Sequence, residues 1–250
     1  MRGARTMKDT AAIIVAGGKG LRYGGPVRKQ YLPLGGRPIV WWSLSAFERS
    51  PSIFSIVLVV PAGDVAKIRA RTPGWKFKKL SAVVAGGRTR ADSVRRGLSA
   101  TPRSARYVAV HDAVRPLVRP KLIESVIDTA RKAGAALAAC PSKDTVKLAN
   151  SRGLVIASPP RDTVWLAQTP QIFERRLLER AHRLRRNKGR GSWSVDRRSK
   201  SVHGARCTDD SQLVERLGVR VKLVESPPDN IKVTLPMDFV LARSILKGRK

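Results

Sequence analysis

The stretch from Ile13 to Gly36, IIVAGGKGLRYGGPVRKQYLPLGG, holds seven glycines and no acidic side chain. Gly17, Gly18 and Gly20 directly follow an apolar run, where bare backbone lets N–H groups approach an anion closely. Arg22 and Lys29 add two cations of the kind that offset the charge building up in phosphoryl transfer. The spacing excludes two familiar loops. Lys19 is followed by Gly20, so there is no G-x(4)-G-K-[ST] phosphate loop. Tyr23 stands where the dinucleotide fingerprint G-x-G-x-x-G needs glycine. A phosphate-binding turn and a glycine-rich surface loop with solvated charges both remain open at this point.

Other chemistry is sparse. Cys140 and Cys207 lie far apart, and none of the three histidines is spaced with a cysteine or another histidine, which argues against a zinc site or a disulfide framework. The two cysteines suit a reducing compartment. No run of 18 apolar residues exists, so nothing in the sequence reads as a membrane span. The apolar run Ala11–Val15 is too short for a signal-peptide core, and the expectation is a cytoplasmic protein whose start is Met1 or Met7. The formal net charge of +32 points by itself to nucleic acid. Aromatics make up only 5% and do not interleave with the charges as stacking platforms would, so nucleic acid is not expected as the main partner. The densest basic stretch, Arg175–Arg206, carries twelve Lys/Arg against two Asp/Glu and has no catalytic explanation.

The elements that must hold these residues follow from periodicity. Apolar runs at Ala11–Val15, Ser55–Val60, Ser81–Gly87, Arg106–Pro116 and Ala135–Pro141 read as strands, and VRVKLVES as a later one. Helical patterns cover Pro38–Ser50, with Trp42, Ala46 and Phe47 on one face; Asp64–Arg71, capped by Asp64; Arg90–Ala100; and Lys121–Gly134. In the last, Leu122, Ile123, Val126, Ile127 and Ala130 form a stripe and Gly134 ends it. Further helices are read in ERRLLERAHRLRRNKGRG, in TDDSQLVERLG with Thr208 or Asp209 as cap, and in LPMDFVLARSIL. Alternating strands and helices predict a parallel sheet covered on both faces, with ligands beyond the carboxyl ends of the strands. The Gly17–Arg22, Gly86–Ser93 and His111–Arg115 segments stand at such ends. Two short β-like runs, Thr145–Leu148 and Leu154–Ala157, predict a ribbon that needs a surface to lie on, a second subunit being the natural one.

Taken together, Ala16–Arg22, the Lys29–Gln30 pair, YLPLGGRPI, GGRTRADSV, HDAVRP, DTVK, QTPQIF, TDD and DNIKVT, in this order from about Ala12 to Leu246, resemble the cytidylyltransferases that act on sugar-alcohol phosphates. The resemblance implies a single domain over 1–250 with a three-layer, Rossmann-like nucleotidyltransferase fold, a mixed sheet and a protruding β-ribbon arm at about 143–162 used for dimerisation. It implies transfer of a cytidylyl group from CTP to 2-C-methyl-D-erythritol 4-phosphate with Mg²⁺, in a homodimer. Ribitol 5-phosphate is the alternative acceptor, because Val114 departs from the Ala of many methylerythritol-type members.

The resemblance also assigns roles. Arg22 and Lys29 would stabilise the transition state at the α-phosphate. Ala16, Gly17, Gly18, Gly20, Gly86, Gly87 and Ser93 would bind CTP. Asp112 would hold the metal, and a single Asp at a strand end suits a magnesium ion that also takes phosphates and waters. Thr145, Arg161, Thr169 and Lys232 would bind the acceptor phosphate, the first two reaching into the neighbouring subunit's site. The acceptor is a phosphate monoester, already anionic near neutral pH, so no general base is needed and none is found. Arg88, in the base-binding segment where some members carry an acid, is a departure, as are Gly17 and the long basic stretch.

Overall fold

A computed structural model of the chain describes residues 7–18, 27–187 and 207–249. The apolar run near the start forms β1 (Thr10–Val15). A hairpin, β2 (Pro33–Leu34) and β3 (Arg37–Pro38), leads into α1 (Ile39–Glu48), which begins one residue after Pro38. Then come β4 (Ile53–Val60), α2 (Val65–Arg71), β5 (Leu80–Ala85), α3 (Arg90–Ala100), β6 (Tyr107–Asp112), α4 (Pro120–Ala133) and β7 (Ala135–Pro141). The arm carries β8 (Leu148–Ala149) and β9 (Val155–Ala157). The chain closes with β10 (Trp165–Glu174), α5 (Arg175–Asn187), α6 (Asp210–Glu215), β11 (Lys222–Glu225) and α7 (Pro236–Lys247).

The central sheet has seven strands in the order β11-β7-β10-β6-β1-β4-β5. β6, β1, β4 and β5 run parallel, as does the β11–β7 pair, but β10 is antiparallel to both β6 and β7. The sheet is therefore mixed, as the resemblance implied, and not the all-parallel sheet read from periodicity. β10 escaped that reading because Gln168, Thr169, Pro170 and Gln171 interrupt its apolar pattern, and its register shifts between Ala167 and Gln171.

Alternate residues of each strand serve opposite faces, so one sheet feeds two cores. Ile14, Ile56, Leu58 and Ala109 pack with Leu44 and Phe47 of α1, Ile68 of α2 and the α4 stripe. Ile13, Val57, Val59 and Val108 pack with Val94 and Leu98 of α3, Leu178 of α5 and Val214 of α6. All five residues of the α4 stripe are buried, and Gly134 ends that helix at φ 79°, a left-handed conformation that glycine takes without strain. A smaller core under α7 joins Leu34, Ile39, Leu117 and Val233. Trp42 belongs to this core and donates to the Leu34 carbonyl at 2.8 Å, so it does not share a face with Ala46 and Phe47, which pack in the α4 core.

Two caps differ in outcome. Asp209 caps α6, its side chain accepting from the Gln212 N–H at 3.0 Å. Asp64 precedes α2 but caps nothing; its carboxylate accepts from the Tyr31 hydroxyl at 3.0 Å and pairs with Arg28 at 3.2 Å. A nearby phenol and guanidinium outbid the backbone for that carboxylate. In the arm the ladder is shorter than expected and shifted: Leu148 pairs Ala157 and Ala149 pairs Val155, leaving Thr145 outside any strand. Asn150 shapes the tip, its side chain accepting from the N–H groups of Arg152 and Leu154.

Candidate active site

Because β1, β4, β5 and β6 are parallel, their carboxyl ends share one edge of the sheet, and β10 enters that edge from the opposite direction. The first turn there follows β1. Ala16 donates to the Val59 carbonyl at 2.7 Å, and the buried Gln30 side chain donates to the carbonyls of Ala16 at 2.7 Å and Gly18 at 3.4 Å. Gln30 thus ties the short helical turn Lys29–Tyr31 to the glycine turn, which sets Lys29 beside it; Lys29 is itself buried. Gly20 and Arg22 lie outside the described residues.

The second turn follows β5. Ser93 is 3% exposed, and its hydroxyl donates to the Thr89 carbonyl and accepts from the Gly87 N–H, both at 3.0 Å. A Cβ placed on Gly17 would come within 3.3 Å of that hydroxyl, and one on Gly86 within 2.9 Å. Both glycine turns therefore close on one serine, with room for a Cβ lacking at Gly86 and tight at Gly17. Thr89 and Asp92 form a reciprocal capping box that starts α3 under this turn. Arg88 is exposed.

The third component is Asp112 at the end of β6. Its Oδ1 lies 3.2 Å from Arg90 Nε and its Oδ2 2.7 Å from Lys232 Nζ. Burial alone would raise this carboxyl; Arg90 and Lys232 outweigh burial and hold it far below the usual carboxylate range, so it is ionised. Arg90 continues to Asp210, Nη1 to Oδ2 at 2.5 Å, and Asp210 accepts from the buried His182 ring, Nε2 to Oδ1 at 3.1 Å. Arg115, 8% exposed, donates to the Asn230 carbonyl at 2.8 Å and keeps its buried Nε without a partner.

The hydroxyl of Thr169 lies opposite Asp112 and its proton can be located by elimination. Burial pushes the His111 imidazole down to about 3, so the ring is neutral. His111 Nε2 faces the Arg115 carbonyl at 3.3 Å, which only accepts, so Nε2 carries the hydrogen and Nδ1 accepts. Thr169 therefore donates to His111 Nδ1 at 2.9 Å and accepts from the Asp112 N–H at 3.1 Å. Its hydroxyl proton is committed to the fold, and a bond from it to a substrate phosphate requires that exchange to be broken.

The structure thus brings together two groups of expected residues: Ala16, Gly17, Gly18, Gly86, Gly87 and Ser93 in the paired turns, and Asp112, Thr169 and Lys232 at the end of β6. Thr145 and Arg161 are exposed on the arm, where Arg161 donates to the Lys143 carbonyl at 3.4 Å; among the described residues neither bonds to the Asp112 group. Sequence reasoning placed the segments of Arg90, His111 and Arg115 at the strand ends but gave these side chains no role, and it gave none to Asp210 or Asn230, although the motifs GGRTRADSV, HDAVRP, TDD and DNIKVT contain all five. Val114 is 9% exposed and packs with Leu34, Leu117 and Val233, so its extra methyl groups fill a core and do not face an acceptor. Among the described residues no three His, Cys, Asp or Glu side chains converge as a cage for a metal.

The chain as a whole is similar to known proteins. Residues 10–248 match the family model described as 2-C-methyl-D-erythritol 4-phosphate cytidylyltransferase. A protein of that name from Desulforamulus reducens is 43% identical over 244 residues, covering 97% of this chain and 98% of its own. Among solved structures, the 4-diphosphocytidyl-2C-methyl-D-erythritol synthase of Anaerococcus prevotii superposes with a TM-score of 0.79 at 31% identity, over 96% of each chain. The 2-C-methyl-D-erythritol 4-phosphate cytidylyltransferase of Thermus thermophilus gives a TM-score of 0.70 at 33% identity, over 96% of this chain and all of that one. Matched by the family model over residues 10–248 and by relatives along nearly its whole length, the chain belongs to the 2-C-methyl-D-erythritol 4-phosphate cytidylyltransferase family.

Proposed function

We propose that this protein joins CTP and 2-C-methyl-D-erythritol 4-phosphate to give 4-CDP-2-C-methyl-D-erythritol and pyrophosphate, a step toward isoprenoid precursors. The observation that carries this reading, beside family membership, is the Asp112 cluster. An ionised carboxylate flanked by Arg90 and Lys232 stands at the strand-end edge, next to two glycine turns that close on Ser93. Such an edge accepts a polyanion. The relatives compared above carry the methylerythritol name, and the burial of Val114 removes the ground for preferring ribitol 5-phosphate.

In this mechanism the acceptor phosphate oxygen attacks the α-phosphorus of CTP. A new P–O bond forms, the α–β bridge breaks, and pyrophosphate leaves with the electron pair. The acceptor arrives ionised, so the protein supplies positioning and positive charge and no base. Lys29 and Arg22 act on the phosphorus under attack. The Gly17–Gly18 and Gly86–Gly87 backbones receive the nucleotide, and Ser93 keeps the two turns closed. Lys232 has three ammonium protons; one serves Asp112 and the others are available to the acceptor phosphate. Thr169 keeps Asp112 aligned through its backbone.

Asp112 suits a magnesium ion carried with the triphosphate: it is a hard, ionised oxygen donor at the site's edge, and magnesium bound with phosphates asks for only one or two carboxylates. Bound there, the ion would neutralise charge on the triphosphate oxygens. The arm is read as the dimer element that brings Thr145 and Arg161 to a neighbour's site. Its exposed Leu154, Val155 and Ile156, each at least 60% exposed, support a covered state. The free Cys140 and Cys207 support a cytoplasmic setting.

The test is pyrophosphate release from the purified protein with CTP, magnesium and 2-C-methyl-D-erythritol 4-phosphate, beside ribitol 5-phosphate and the other nucleoside triphosphates. Turnover confined to CTP with the methylerythritol acceptor is expected. Faster turnover of ribitol 5-phosphate, or none with either acceptor, overturns the reading.

A further inference from the structure

Asp210 is fully buried, yet it carries a negative charge: burial would raise its carboxyl, and Arg90 and His182 more than offset this and hold it below its ordinary value. Isolated buried charges are costly, so a carboxylate is kept there only against specific partners. Each of its oxygens has one. Oδ2 takes Arg90 Nη1 at 2.5 Å and Oδ1 takes His182 Nε2 at 3.1 Å, while the Asp210 backbone N–H donates to Gln171 Oε1 at 3.2 Å. Arg90 then spends its Nε on Asp112 at 3.2 Å. Residues of three elements, α5, α6 and α3, thus form one chain of hydrogen bonds that ends on the carboxylate at the strand edge.

His182 is the far end of this chain. It is 4% exposed, and it reaches Asp112 only through Asp210 and Arg90. Its Nδ1 is buried without a partner. A ring with one orphaned nitrogen is a poor choice for filling space, where leucine would serve at lower cost. The nitrogen that has a partner is the one that donates to Asp210, because a carboxylate only accepts. The polar function of the ring is therefore directed at Asp210 and, through it, at Arg90.

We propose that His182 and Asp210 are positioning residues for the transfer reaction: they brace the Arg90 guanidinium so that its Nε stays on Asp112 and fixes the carboxylate that serves the triphosphate. The proposal rests on the reading that Asp112 acts at the triphosphate. Without the brace, Arg90 keeps its charge but gains rotamers, and Asp112 loses its fixed orientation. Loss of a group that orients an active-site residue typically costs 10–100-fold in activity.

The experiment compares wild type with His182→Leu, His182→Gln and Asp210→Asn, each alone and the first also on Arg90→Ala. His182→Leu and Asp210→Asn are expected to lower kcat about ten-fold or more, with KM for CTP changed by less than about three-fold. His182→Gln, which keeps a donor at the Nε2 position, should retain most of kcat. On Arg90→Ala, His182→Leu should add almost nothing, since its target is gone. A second readout needs no substrate. The Arg90 Nε–H resonance of ¹⁵N-labelled protein, assigned by its absence from Arg90→Lys, should be slow to exchange in wild type and His182→Gln and fast in His182→Leu and Asp210→Asn. Equal damage from Gln and Leu, full activity in Asp210→Asn, or additive losses on Arg90→Ala overturn the brace. If His182→Leu fails to fold, Asp210→Asn and His182→Gln carry the same test. An inactive wild type would instead overturn the function, and the resonance would still decide the brace.

Discussion

Lys232 holds its Nζ 2.7 Å from Asp112 Oδ2 across 120 residues of sequence, so the DNIKVT segment and the end of β6 are joined at the point where charge is concentrated. The contact is supported from both sides: Val233 donates to the Val114 carbonyl at 2.8 Å, and Arg115 to that of Asn230 at the same distance. Asp112→Asn keeps the shape and removes the charge, leaving Arg90 and Lys232 facing each other without an anion between them. The expected outcome is a kcat lowered by about a hundred-fold or more, measured by pyrophosphate release. A variant within about three-fold of wild type would place the essential carboxylate elsewhere.

The neutral His111 links pH to stability. Its folded value, about 3, lies below its ordinary 6.5, so the unfolded chain binds the extra proton over that interval. Stability from this group is complete above pH 6.5 and declines as pH falls toward 3, by at most about 1.4 kcal/mol per pH unit. The buried carboxylates Asp112 and Asp210, both held low, extend the loss to more acidic pH. Urea unfolding at pH 7.5 and 5.0 should show wild type losing more stability than His111→Gln. Equal losses would mean that the ring is not held neutral.

Gly97 sits where α3 meets the sheet. A Cβ there would come within 2.5 Å of Ile13 Cγ2 and 2.9 Å of Val59 Cγ2, neither of which can retreat from a filled core. Alanine gains about 1 kcal/mol of helix propensity over glycine, but overpacking costs about 1–3 kcal/mol. Gly97→Ala should therefore cost about 1 kcal/mol net, read as a lower denaturation midpoint. A raised midpoint would show that α3 can lift off the sheet cheaply.

The arm prediction concerns assembly. If Arg161 serves the neighbour's site, an Arg161→Ala subunit paired with a Lys29→Ala subunit rebuilds one complete site. Unfolding and co-refolding the two inactive proteins in equal amounts should then return about one quarter of wild-type activity, as random pairing makes half the dimers mixed. Activity that never exceeds either parent would assign Arg161 to its own subunit.

Much of this protein is legible along the chain. The α4 stripe with Gly134, the α3 helix over Arg90–Ala100, and the glycine turns after β1 and β5 are local features, and propensity and backbone sterics decide them within a few residues. The antiparallel β10 was not legible, since Gln168–Gln171 look like a loop until Thr169 and Gln171 are seen to bond His111 and Asp209. Asp64 reads as a cap only while Tyr31 and Arg28 are out of view.

The sequence alone determined the alternation of strands and helices, the strand-end location of the glycine turns and Asp112, and the family these motifs resemble, because each is carried by neighbouring residues. Which of fifty Lys and Arg side chains meets which of eighteen acids was decided only by tertiary structure. Sheet order brings Asp112, Lys232, Arg90, Asp210 and His182 together from five separate segments. Burial of the Asp112 and Asp210 carboxylates then makes pairing obligatory, because a charge removed from water must find its partner inside the protein.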